Sequence, residues 1–474
     1  MDSERQTGID RKGGKSMAKT SDLTQGKVSR LILAFFFPML FTNMLQQVYS
    51  LADTAIVGKG LGDNALGAVG NMGSLFFLIV GFSMGLSNGF CVLIAQAFGA
   101  KDYDKMRRTT ASAVKLAGAI TVIMTVFSLV FLRTALVLLQ TSELIINDSL
   151  LYGYIVFGGL ATAIAYNLCA GILRALGDSR TPFTAIMVST AVNIALDLFF
   201  IFVLKTGVEG AAIATVIAQI VSAAICFAKL RRIEIIRLSK ADFTFDGGLY
   251  LALLKNGVPM ALMNSITAVG CMVVQYFVNG LGVAYTSAYS ACSKFINIFM
   301  SPAFTAGFTM SSFTSQNYGA KEYGRIREGT KVCLAIALIA YLIFGSAMVF
   351  IPRQLASLML NGNEQISLAA QFLPITGVML FAVDFLFVFR NGVQGMGSPL
   401  IPMCSGILEM VVRVAVIALF IGGLGFKATA YAEILAWIGA LLMNASAFVF
   451  LLSRKLNEQK VSNAVPIPQA VTCK

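Results

Sequence analysis

The sequence predicts an all-α membrane protein: twelve transmembrane helices in two parallel six-helix repeats around a central cavity. Three observations carry this reading: an apolar excess, a one-sided distribution of Lys and Arg, and an internal duplication. Of 474 residues, 57% are apolar and 12% are charged, whereas soluble domains carry roughly 25% charged residues. A soluble chain could not hide that much apolar surface, but a series of spans of about 20 residues each would use it.

Twelve apolar segments follow a polar start at residues 1–27. They lie near 31–57, 65–97, 109–132, 150–173, 182–204, 208–229, 249–278, 284–314, 329–351, 366–394, 400–421 and 428–453. Gly or Pro interrupts several of them, which spans tolerate where neighbours satisfy the freed backbone groups. With the N-terminus placed inside, 27 Lys and Arg fall on inner loops and tails and only five (Lys59, Arg133, Lys205, Arg353, Lys427) fall outside. Positive residues stay on the cytoplasmic side. Both termini are therefore expected in the cytoplasm of a multi-pass protein of the inner (plasma) membrane. The formal charge of +13 is a topology signal and needs no nucleic acid to explain it.

Composition also excludes chemistry. No histidine is present, so His-based triads, His metal sites and histidine pH switches are ruled out. The eight cysteines never form C-x-x-C, and seven lie in apolar stretches, where cysteine acts as a small hydrophobe. Neither a disulfide framework nor a zinc site is indicated. The polar start lacks the apolar core and cleavage site of a signal peptide. Within it, Gly13-Gly14-Lys15-Ser16 resembles the end of a phosphate loop. Ile9 occupies the place of the required first glycine and no strand precedes it, so no nucleotide site is expected.

The chain repeats itself about 220 residues on. Gly99-Ala100-Lys101-Asp102-Tyr103-Asp104-Lys105-Met106-Arg107 returns as Gly319-Ala320-Lys321-Glu322-Tyr323-Gly324-Arg325-Ile326-Arg327, with five of nine residues identical. Pro38-Met39 with Asn43 recurs as Pro259-Met260 with Asn264, and Gly177 and Pro182 recur as Gly397 and Pro402. Six spans per half is an even number, so both halves start on the same side and the repeats are parallel, with a substrate path expected between them. The expected parts are a tail at 1–30, a first lobe at 31–229 (spans 1–6), a basic cytoplasmic linker at 230–248, a second lobe at 249–453 (spans 7–12) and a tail at 454–474. Two similar bundles that rock about a central cavity suit a transporter.

The motifs in their order resemble the multidrug and toxic compound extrusion (MATE) family, over essentially the whole membrane-embedded length. They are Pro38-Met39, then Tyr49-x-x-x-Asp53-Thr54 into Val57-Gly58, the Gly99-Ala100-Lys101 turn, Leu173-Arg174-Ala175-x-Gly177-Asp178, and Asn193-x-x-x-Asp197. The resemblance implies efflux of drugs or toxic cations driven by a proton or sodium gradient. It also implies a first-lobe cation site at Asp53, Asn193, Asp197 and Thr215.

Charges at membrane depth cost about 2.5–3.5 kcal/mol each on insertion scales, so each calls for a reason. Gln46, Tyr49 and Asp53 share one face of span 1 by their spacing, as do Asn193 and Asp197 in span 5. Carboxylate, amide and hydroxyl oxygens are hard ligands suited to sodium. Two crowded acids could instead hold a proton between them. The alternatives for this group are a cap at Asp53 and a purely structural cluster. Gln46, Tyr49, Asn167 and Asp384 are candidate substrate-cavity residues, with Asp384 alternatively a partner for Lys294. Lys115 is expected to snorkel from a helix end, and for Arg390 snorkelling is one reading beside a role at membrane depth. Gly81, Gly85 and Gly89 in span 2 are expected to pack helices closely within the lobe. Glu409, Arg413 and Glu433 form a second-lobe charge cluster, a brace or a second coupling site. Under the duplication Asn193 corresponds to Arg413, Asp197 to Ile417, Asp53 to Val274 and Thr215 to Glu433.

The expected protein is thus a secondary active antiporter for cationic or amphipathic drugs, not an enzyme. It is expected to be a monomer in the lipid bilayer that exchanges protons or sodium, without a cofactor. A flippase for a lipid-linked precursor is the nearest rival. An integral membrane enzyme is disfavoured because no nucleophile–base motif and no soluble catalytic domain are present.

Overall fold

The computed structural model describes residues 22–139 and 141–464. The Gly13–Ser16 motif and the outer parts of both tails, 1–21 and 465–474, lie outside these residues. The described chain is helical throughout, in the order α1 (Val28–Leu61), α2 (Asp63–Gly99), α3 (Tyr103–Leu138), α4 (Ile146–Gly158), α5 (Leu160–Ala175), α6 (Arg180–Leu198) and α7 (Val208–Arg231). It continues as α8 (Gly247–Asn279), α9 (Val283–Gly319), α10 (Tyr323–Phe350), α11 (Pro352–Ser357), α12 (Asn363–Val378), α13 (Leu380–Gly395), α14 (Leu400–Leu424) and α15 (Lys427–Ala464).

Nine of these helices are long and apolar enough to span a bilayer, and two bent pairs, α4–α5 at 45° and α12–α13 at 48°, each make one more. The twelfth crossing is α9. It is 37 residues long but more polar, because Thr305, Thr309, Thr314, Ser315, Gln316 and Asn317 are all buried against other helices rather than turned to lipid. The helices run beyond the apolar segments at most ends. Polar first turns extend them, as where the Asp102 side chain accepts from the Lys105 N–H at the start of α3.

The duplication is written into the backbone. Four pairs of residues with positive φ recur about 220 apart: Gly62 and Gly282, Lys101 and Lys321, Gly177 and Gly397, Lys205 and Gly425. Lys101 (58°) and Lys321 (61°) hold the left-handed conformation at the ends of α2 and α9, where an αL residue lets the chain recapture the last carbonyls. There Asp102 N–H donates to Ala97 O at 3.0 Å, and Glu322 N–H donates to Asn317 O at 2.8 Å. Each repeat thus turns the same way at the same points, which makes the two six-helix units parallel copies.

The copies meet through α2 on α8 and α9, and through α1 on α9 and α10. A Cβ on Gly85 would stand 2.7 Å from the Ala261 Cα, and one on Gly89 would stand 2.5 Å from the Gly257 Cα. The Gly81 carbonyl accepts from Asn264 Nδ2 at 3.1 Å. The small-residue stripe of α2 therefore packs on α8 of the other repeat. The expectation that it packs within its own lobe was wrong: the stripe shows close approach, and only the fold tells which helix approaches.

The end of the bundle carrying the Lys- and Arg-rich turns, here called the basic face, is shut by a two-fold clasp. Gln96 Nε2 donates to Gly395 O at 2.9 Å, and Gln316 Nε2 donates to Ala175 O at 2.8 Å. A Cβ on Gly99 would lie 1.9 Å from Gln316 O, and one on Gly319 would lie 1.9 Å from Gln96 O. Gly99→Ala and Gly319→Ala are each expected to cost about 1–3 kcal/mol by overpacking. Gly118 has nothing within 4 Å of a built Cβ, so Gly118→Ala should gain up to about 1 kcal/mol from helix propensity. Melting of the three variants in detergent checks this order.

Candidate functional site

The first repeat brings its polar residues together in the half of the bundle away from the basic face. Helices α1 and α6 both begin at the basic face, so Asp53 and Asp197 fall near their far ends. Helix α7 begins at the far face and places Thr215 in its second turn. Asn193 and Asp197 are fully buried, while Asp53 and Thr215 are 9% and 7% exposed. The Asp53 and Asp197 carboxyls lie close enough to interact with each other, and the Tyr49 hydroxyl lies 3.5 Å from Thr215 Oγ1.

Two features mark this cluster as unusual. Asp53 Oδ1, both oxygens of Asp197 and both polar atoms of Asn193 are buried without a hydrogen-bond partner among the described residues. Buried polar groups are normally paired, and each exception calls for a ligand, a proton or a water. In addition, α6 passes directly after Asp197 into a π-helical turn at Phe199–Val203, a form found often at functional sites. Asp53 sits inside α1 rather than at its end, so it is not a cap.

Tyr152 was not anticipated. It is buried in the second turn of α4 and lies close enough to Thr215, Asp53 and Asp197 to interact with all three. In sequence it is one aromatic in an apolar run; the bend between α4 and α5 carries it to the cluster. Of the other candidates, Gln46 is exposed and Asn167 half-buried, and only Tyr49 joins the acids.

The second repeat holds a different chemistry. Arg390 bonds Glu409, Arg413 Nη2 lies 3.5 Å from Glu409, Arg413 Nε lies 3.0 Å from Glu433, and the Tyr289 hydroxyl approaches Glu433 at 3.5 Å. All four charged residues are less than a tenth exposed, and their charges cancel. Of the readings open for Arg390, snorkelling does not hold: α13 runs on past it to Gly395, and its side chain meets Ser405 and Glu409 of α14. Lys115 does reach out of its span, donating from Nζ to the Phe243 carbonyl in the linker. The duplication places this network opposite the first-lobe cluster. Val274 and Ile417, the counterparts of Asp53 and Asp197, are fully buried in apolar core. Gly270, counterpart of Tyr49, lies beside Arg413, where a Cβ would stand 3.5 Å from Nη1.

Asp384 is fully buried in α13 with both oxygens unpartnered among the described residues. The pairing with Lys294 is not present, because Lys294 is exposed on α9. A small space of about 30 Å³ between the repeats is lined by Asn88, Arg174, Ser311, Ser315, Asn391 and Gln394 among others. It lies beside the clasp, near the basic face.

The chain matches the MatE family model twice, over residues 38–199 and 259–419, once in each repeat. It is 30% identical to the probable multidrug resistance protein YoeA of Bacillus subtilis, over 75% of this chain and 79% of that one. It is 27% identical to the probable multidrug resistance protein YpnP of the same organism, over 86% and 92%. A crystal structure of a MATE protein in the bent conformation superposes with a TM-score of 0.87 at 21% identity, covering 93% of this chain and all of the other. With the family model matched in both repeats and the twelve-helix fold shared, the chain belongs to the MatE family, the one its sequence motifs resemble.

Proposed function

We propose that the protein is a multidrug exporter working as an antiporter, which expels cationic or amphipathic drugs in exchange for protons or sodium bound at Asp53, Asn193, Asp197 and Thr215. The observation that carries this reading is the pair of buried, facing carboxyls with no partner. Two anions so placed need a positive charge between them, and a proton or a sodium ion supplies it. The names of the relatives support drugs as the cargo.

The clasp at Gln96 and Gln316 acts as the inner gate in this reading. Loading of the acids from one side and release to the other accompany its breaking and re-forming, as the repeats rock. The Lys and Arg distribution supports a cytoplasmic basic face, with both termini inside, in the inner membrane. We further infer a monomer, since each chain contains both lobes of the path. A flippase would need free positive charge for a lipid-linked pyrophosphate, yet Arg390 and Arg413 are buried in ion pairs.

Everted membrane vesicles loaded by this chain test the proposal. Accumulation of a fluorescent cation should follow an imposed proton gradient or an imposed sodium gradient and collapse when that gradient is dissipated. Accumulation indifferent to both gradients would refute it.

A further inference from the structure

At the basic face, the start of α1 and Arg180 at the start of α6 border an open hollow of about 620 Å³. Its rim carries Lys27, Arg30 and Arg180, and no acidic side chain lines it among the described residues. None of the three cations forms an ion pair there among the described residues. Asp178, the nearest acid in sequence, is engaged at the start of α6, accepting from the Arg180 and Thr181 N–H groups and the Thr181 hydroxyl. The first turn of α1 has neither a side-chain cap nor an acid, so its free N–H groups add to the positive field.

Below the rim the hollow turns apolar. Leu33, Phe37 and Pro38 form its floor, with Leu33 and Phe37 exposed. Farther down, the Phe41 and Phe183 rings, 6.2 Å apart, close the gap between the two helices. Positive rim above, open apolar groove beneath: that profile matches an anionic headgroup with a chain under it. Basic pockets between helices on the cytoplasmic side bind such headgroups.

We propose that this hollow is a binding site for an anionic phospholipid, its phosphate among Lys27, Arg30 and Arg180 and an acyl chain along Leu33, Phe37 and Pro38. A water-soluble phosphate would use the rim but gain nothing from the floor. Pro38 lacks the N–H that would bond the Ala34 carbonyl, and both residues line the hollow. The lipid therefore rests on the weakest turn of the helix that carries Asp53.

A second hollow on the same face serves as a built-in control. It measures about 510 Å³ and holds Arg107, Arg108 and Arg237, but also Asp104 and Asp242. Arg107 bonds Asp104 and lies 3.8 Å from Asp242. The Ser239 N–H, bonded to Asp242, holds that carboxyl below its usual range and so ionised. The wall offers no large apolar side chain, so charge is answered by charge and no groove awaits a chain.

Native mass spectrometry of the full chain in detergent, with equimolar phosphatidylglycerol and phosphatidylcholine, tests the site. Each cation near an anionic lipid is worth roughly fivefold in affinity, so the first phosphatidylglycerol should bind at least about tenfold more tightly than phosphatidylcholine. The triple variant Lys27→Gln, Arg30→Gln, Arg180→Gln should lose most of that preference. The triple variant Arg107→Gln, Arg108→Gln, Arg237→Gln should keep it. Equal binding of the two lipids by the parent, or loss of preference only in the second variant, would overturn the proposal. So would full displacement of phosphatidylglycerol by millimolar inorganic phosphate, which would mark a site for the phosphate alone.

Discussion

Arg413→Met is expected to destabilise the protein by about 3 kcal/mol or more, because removing one partner of a buried ion pair leaves the other charge unmatched. The consequence falls mainly on Glu433. Glu409 keeps Arg390 as a second cation, whereas Glu433 retains only the Tyr289 hydroxyl at 3.5 Å. Neutralising Glu433 alone should therefore suffice for rescue. Arg413→Met with Glu433→Gln is expected to recover most of the lost melting temperature, since the remaining Arg390–Glu409 pair is neutral by itself. Ion dependence of transport should be the same in the parent and the rescued variant. Should Arg413→Met melt like the parent yet lose its coupling to the gradient, the second-lobe network would be part of the ion path and not a brace.

Asp197→Asn is expected to abolish gradient-driven export while leaving the protein at least as stable as the parent. The substitution keeps the shape and removes one of two facing anions. It also supplies an amide donor that can reach Asp53, and such a bond is worth about 1 kcal/mol. Asp53→Asn should behave alike. Stability and function thus move in opposite directions, as at sites that hold an unfavourable arrangement for the sake of activity. A structural cluster would show the reverse pattern, with melting lowered and export kept. Thermal melting and drug accumulation, measured on the same preparations, separate the two.

Much of the fold was legible because membrane insertion writes long apolar runs and a Lys/Arg bias that survive without knowledge of neighbours. The duplication was legible for a similar reason: its Gly-Ala-Lys turns sit at helix ends, where local geometry constrains the residues. Asp53 with Tyr49, and Asn193 with Asp197, could be paired along their own helices by spacing alone. What spacing cannot show is which helix lies opposite. Tyr152 needed the bend between α4 and α5, and the glycine stripe of α2 needed α8 of the other repeat. Arg390 stayed ambiguous for the same reason, since a base near the end of an apolar run looks free to reach water until the packed end of α13 is seen beyond it. Lys101 and Lys321 take the left-handed conformation usually left to glycine, and nothing in a lysine foretells that. The hollow between α1 and α6 joins residues about 150 positions apart, beyond any reading of periodicity.

The claim at the centre of this account is that drug moves uphill because an ion moves downhill through the first-lobe acids. Purified protein in liposomes, with opposed drug and ion gradients, allows the drug ratio at zero net flux to be read directly. For one-for-one exchange of monovalent cations, a tenfold ion gradient should hold about a tenfold drug gradient, since each is worth the same ~1.4 kcal/mol. The account predicts that this ratio tracks the proton or sodium gradient in the parent and stays at unity in Asp197→Asn. A parent whose flux stops at equal drug concentrations, whatever ion gradient is imposed, would contradict it.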